Sequence, residues 1–161
     1  MQIFLTATRR AILVLAMLGV AAYGAAALVT VADVLGRRVG LPIDGVVDLV
    51  QLFVVTGAWL VMPWAFCSGA HVGVDFLITR LPRAPQILLR FLAMLAALAL
   101  LGAMLWLGYG TFQQRVMFGD RSQQLGIPIS WFWLPLLIGL GFSLLGAIAA
   151  FLSPQVQGQE L

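Results

Sequence analysis

Asp44, Asp48 and Gln51 are the most concentrated polar set in the sequence. Steps of four and three residues line them along one face of a helix near its end. Three chemistries fit that placement. The carboxylates can cap a helix N-terminus and touch the membrane interface, or Asp48 can pair with an arginine on a neighbouring helix or a partner protein. A proton or sodium site would need a further ligand that the set does not supply. His71 and Asp75 also stand one helical turn apart, but one histidine and one carboxylate fall short of the three or four ligands of a metal site. A local hydrogen bond shaping the chain there is the expectation. Ser68 and Ser130 have no base within sequence reach, so no nucleophile is argued. Cys67 is the only cysteine, which excludes an intrachain disulfide and any C-x-x-C pattern. The sequence therefore offers no catalytic residue, no cofactor site and no metal site.

The elements that must carry these residues follow from composition. Of the 161 residues, 62% are hydrophobic and 9% charged, where soluble domains run at roughly 25% charged. Nine arginines, no lysine and six acids cannot coat a soluble domain of this size. The net charge of +3 does not mark a nucleic-acid binder, because the arginines are scattered in ones and twos between apolar blocks instead of gathered on one face.

Four charge-free runs set the spans. Ala11–Ala32, Leu49–Ala70 and Phe91–Phe112 each hold 22 residues, and the fourth has an apolar core from Leu125 to Leu152. About 20 residues at 1.5 Å each cross a hydrocarbon core of roughly 30 Å. Lipid offers no partner to an unpaired amide, so each run must be helical, and none alternates as a barrel strand would. The expected fold is an all-α membrane protein, a single membrane domain over 1–161, with spans at about 11–33, 45–68, 86–112 and 125–152. Arg9-Arg10 ahead of an apolar stretch also resembles a signal peptide, but 22 residues exceed the roughly 7–15 of a signal core. A true span is expected.

Asp44 is the expected N-cap of the second helix. A stretch at about 71–81, bearing His71, Asp75 and Arg80, is too short and polar to span and is expected to form an interfacial arm helix before Pro82 and Pro85. Gln113 to Gln124 is the most polar connection. With the N-terminus inside, five arginines face the cytoplasm and four the other side, and the Arg9-Arg10 pair before the first span favours that orientation. Four spans put both termini on one side. Pro63 and Pro135 should bend or interrupt their helices. Trp59, near mid-membrane, is expected to mark a helix contact, while Trp64, Trp106, Tyr109, Trp131 and Trp133 form an interfacial belt. Ala22/Ala26, Ala93/Ala97 and Ala99/Ala103 have the spacing of close helix approach. Arg37, Arg38 and Arg90 can reach lipid phosphates or a partner's carboxylates.

The helix midpoints decide the functional class. Ala21-Ala22, Trp59-Leu60, Leu101-Gly102 and Leu137 to Gly139 carry no charge. Ion-coupled carriers place ionisable residues at that depth, where they are costly. A structural or accessory subunit fits the dry interior better.

Several segments carry a family likeness. They are Asp33-Val34-Leu35-Gly36-Arg37 after the first span, Gly45/Asp48/Gln51 opening the second, Gly69-Ala70-His71-Val72-Gly73-Val74-Asp75-Phe76-Leu77, and Ser122 to Trp131 opening the fourth. In order and spacing they resemble the small integral membrane subunit of a tripartite ATP-independent periplasmic (TRAP) transporter, from about residue 30 to 142. The family carries glutamate where Asp48 stands. The resemblance implies a bacterial inner-membrane scaffold with no substrate site. It would stabilise a large multi-spanning subunit that holds the substrate and sodium sites, and help dock a periplasmic substrate-binding protein that delivers an organic acid. On that likeness Asp48, Gln51, Trp59, Arg90, Arg37 and Arg38 would face the large subunit or lipid. His71, Asp75 and Arg80 would lie on the arm, and Arg115, Asp120 and Arg121 would meet the binding protein.

Two other classes compete. A stand-alone carrier or channel would have to self-associate to build a polar path. A haem or quinone anchor would need histidines inside the spans, and His71 sits at a span end.

Overall fold

A computed structural model describes residues 2–68 and 83–152. Among these residues the chain forms α1 (Gln2–Arg38), α2 (Val46–Cys67), α3 (Arg83–Met117) and α4 (Ser130–Leu152). All four are long and apolar enough to cross a membrane. The expected interfacial helix at 71–81, with His71, Asp75 and Arg80, lies outside the described residues.

Helices α1 and α3 are longer than their apolar runs. The 37 residues of α1 reach about 55 Å at 1.5 Å each, well beyond a bilayer core. Helix α3 begins at Arg83, so Pro85 falls in its first turn, where the missing N–H has no intrahelical partner to lose. Helix α4 starts at Ser130, five residues after the expected boundary, because Gly126 adopts φ 67° and Pro128 follows it.

The helices pack as a row. Helix α2 lies between α1 and α4, α3 packs on the far side of α4, and α1 touches α4 only slightly. The buried stripe of α1 runs through Ile12, Ala16, Gly19, Ala22, Ala26 and Asp33. Steps of three, four and seven are what one face of a helix requires. The Ala22/Ala26 spacing is thus used inside the chain, while Ala93, Ala99 and Ala103 on α3 stay exposed.

Glycines set the closest approaches. A Cβ on Gly19 would meet Val61 and the Gly57 carbonyl, and one on Gly57 would meet the Tyr23 ring at 2.8 Å. A Cβ on Gly146 would meet the Pro63 carbonyl at 3.0 Å. These contacts run antiparallel between α1 and α2 and parallel between α2 and α4. Both prolines are accommodated inside their helices, with Pro63 fully buried.

Candidate functional site

The polar chemistry gathers where α1 ends, α2 begins, and α3 returns into α4. The end of α1 is closed by its own backbone: the Leu41 N–H donates to the Gly36 carbonyl at 2.8 Å, with Gly40 at φ 77°. A left-handed glycine past the last turn is the usual way to satisfy the final carbonyls. Buried Asp33 then reaches across the turn. Its Oδ1 accepts the Ile43 N–H at 3.0 Å, and its Oδ2 accepts the Arg37 Nε–H at 2.7 Å. The acid thereby fixes the α1–α2 connection.

The N-cap of α2 is Gly45, at φ 74°, and it makes no side-chain cap bond. The expected cap Asp44 is exposed one residue earlier. The left-handed turn at Gly45 starts the helix at Val46 and sets Asp44 outside it.

Asp48 has the most connected side chain of this end. It is 5% exposed, and its Oδ2 accepts the N–H groups of Gln124 at 2.9 Å and Leu125 at 2.7 Å. The Ser122 side chain adds a further hydrogen bond to the carboxylate. Leu125 also rests its side chain on Gly45, where any Cβ would collide with it. The carboxylate is thus spent within the chain, tying α2 to the loop before α4.

That loop is folded in its own right. The Ser122 N–H donates to the Ile127 carbonyl at 2.8 Å, the Ile127 N–H donates to Ser122 Oγ at 2.9 Å, and the Ile129 N–H donates to the Asp120 carbonyl at 3.0 Å. Gly119 and Gly126 take the two positive-φ positions. At its rim Arg115 pairs with Asp120 at 2.9 Å. Exposed Arg121 donates through one guanidinium nitrogen to the Gly126 carbonyl at 3.2 Å and has no acidic partner among the described residues. A pocket of about 340 Å³ opens between the loop and α2, with Gln51, Arg121 and Gln123 in its wall.

The remaining expected residues are dispersed. Gln51 is exposed one turn below Asp48, and Arg38 is exposed at the end of α1. Trp59 lies in mid-helix, where α2 meets Gly139 of α4. Arg90 belongs to α3, and its side chain lies outside the described residues. Among the described residues no three His, Cys, Asp or Glu side chains gather to hold a metal ion.

The sequence reading missed what Asp33 and Ser122 do. Gly126-Ile127-Pro128 is a turn signal that would have moved the start of α4 and exposed the role of Ser122. No local pattern announces the bond from Asp48 to amides 76 and 77 residues away.

A family model described as "Tripartite ATP-independent periplasmic transporters, DctQ component" matches residues 26–156. The matched stretch includes Asp33, Asp48 and the whole 120–129 loop. No curated protein sequence matches the chain.

Proposed function

The chain belongs to the DctQ component family of tripartite ATP-independent periplasmic transporters, and on that premise we propose that it braces the large transport subunit and offers its polar end to the binding protein. Members of the family are non-catalytic membrane components, and the four long apolar helices make this chain a multi-pass inner-membrane protein. Membership implies association with a large TRAP subunit and a substrate-binding protein.

The observation that carries the bracing role is the row of helices. A ring of helices could enclose a path for solute, but a row with α1 and α3 at opposite ends encloses none among the described residues. The outer surface of α3 is apolar and open: Leu92, Leu95, Leu100, Trp106 and Leu107 are all exposed. Such surfaces suit lipid and a membrane partner. The uncharged helix centres agree, because coupling ions need polar ligands at that depth.

In this reading substrate and sodium are handled by the large subunit, and the cargo is an organic acid such as a dicarboxylate or sialic acid. Both termini face the cytoplasm, which puts the 120–129 loop on the periplasmic side. Gln51, Arg38 and Arg90 meet the large subunit or lipid headgroups. Asp48, Trp59 and Arg37 act indirectly, by holding the helices that carry those contacts. Arg121 meets the binding protein, with the Arg115–Asp120 pair beside it, and His71, Asp75 and Arg80 belong to an interfacial arm.

Reconstitution tests the whole reading. Sodium-driven uptake is expected only when this chain, the large subunit and the binding protein are all present. Uptake by this chain alone in liposomes would overturn the bracing role. Labelling that found the termini on opposite membrane faces would overturn the topology.

A further inference from the structure

The loop between α3 and α4 could have been a slack connection. Instead it is closed on itself by the Ser122–Ile127 and Asp120–Ile129 bonds and tied to a third helix through one buried carboxylate. The Gln124 and Leu125 amides point at Asp48 instead of entering α4, so α2 sets how the loop sits. Leu125 on Gly45 is a second contact in the same place. The outward residues are exposed: Arg121, Gln123, Gln124 and Pro128.

We propose that Asp48 is a positioning residue that holds the 120–129 loop in its docking shape before the partner arrives, with Arg121 presented to an acidic side chain of the binding protein. This rests on the reading of that membrane face as the one the binding protein meets. The chemistry of the partner group follows from Arg121. Among the described residues its guanidinium has only a carbonyl contact, and its remaining donors match a carboxylate in the forked geometry that arginine favours. Gln51 and Gln123 in the pocket wall add neutral amides beside it. A loop already folded loses little conformational freedom on docking, so tying it down raises affinity without adding a contact. Asp48 itself is 5% exposed beneath the loop, so its part is to hold the loop, not to present a charge on the surface.

The test uses the membrane complex of this chain with its large subunit in nanodiscs, titrated with the binding protein of the same transporter. Two quantities are read: Kd, and amide hydrogen exchange at Gln124 and Leu125. Asp48→Ala is expected to keep the large subunit bound, speed exchange at both amides, and weaken docking about tenfold, the scale set by re-ordering a short loop. Asp48→Glu is expected to restore both readouts, since the longer carboxylate can still accept the two amides. Arg121→Gln should weaken docking and leave exchange unchanged. Freed amides with unaltered Kd in Asp48→Ala would overturn the positioning role while leaving the docking face intact if Arg121→Gln still weakens binding. Unaltered Kd in both variants would instead overturn the docking face itself. If Asp48→Ala fails to assemble, Asp48→Asn, which keeps the shape and a weaker acceptor, is judged on the same two readouts.

Discussion

The Trp59 carbonyl faces the Cα of Gly139, so closely that a Cβ there would fall on the oxygen. The sequence of α2 explains why that carbonyl is available. Pro63, four residues on, has no N–H to give it, so the helix leaves Trp59 without its usual intrahelical donor. A glycine opposite lets α4 approach and cover the vacated position, and a Cα–H···O contact of this kind is a recognised weak bond between helices. The proline and the glycine thus form one packing feature built from two helices.

Gly139→Ala should therefore be costly, by about 1–3 kcal/mol, the usual range for overpacking a tight contact. Gly141→Ala, two residues along, meets nothing within 4 Å and should be neutral or stabilising, because alanine is the better helix former by about 1 kcal/mol. Thermal unfolding of both variants in one detergent checks the contrast. Equal melting temperatures would remove the Trp59–Gly139 contact from the packing.

Gly45 carries two constraints at once, and they can be separated. Its φ of 74° costs a side-chain-bearing residue about 1–2 kcal/mol. The Leu125 side chain adds a collision. Gly40, at φ 77°, has open space around it and carries the backbone constraint alone. Gly45→Ala should destabilise more than Gly40→Ala, and Leu125→Ala in the Gly45→Ala background should recover part of the difference. A double-mutant cycle measures that recovery; no coupling between positions 45 and 125 would contradict the contact.

Asp33 and Arg37 share an ion pair but not equal importance. Arg37 is exposed, and a solvent-screened pair is worth about 0–1 kcal/mol. Asp33 is buried and also holds the Ile43 amide, whose donor would be left unmet on truncation at about 1–3 kcal/mol. Asp33→Ala should lower the melting temperature clearly more than Arg37→Gln. High salt should narrow the gap between wild type and Arg37→Gln while leaving the Asp33→Ala loss largely in place.

Periodicity and charge-free length were enough to read the four helices, because lipid permits only one state for such runs. Their ends were less legible. Gln113 to Met117 is polar enough to resemble a loop, yet α3 continues through it, since water outside the bilayer does not forbid a helix. The alanine spacings on α3 signal close packing equally well for a contact within this chain and for one with another, and only Ala22/Ala26 is buried here. Asp48 was legible as an important acid near a helix start. Its acceptor role was not, because the donors are backbone amides, identical at every position except proline. The Trp59–Gly139 approach was hidden likewise: Pro63 announces a freed carbonyl, but nothing in α2 says which glycine will cover it.

Ser143 tests the same packing from its polar side. It sits in α4 with no exposed surface, and its Oγ has no hydrogen-bond partner among the described residues. A buried hydroxyl without a partner costs about 1–3 kcal/mol relative to one that is satisfied. Removing the oxygen while leaving the methylene removes that cost and opens a space smaller than a water. Ser143→Ala is therefore expected to match or exceed the wild-type melting temperature. Ser143→Val adds branched bulk at a position with no spare room and should lower it. If Ser143→Ala proved the more damaging of the two, the hydroxyl would have to be donating to a neighbouring helix, and the tight α2–α4 seam would owe part of its stability to that bond.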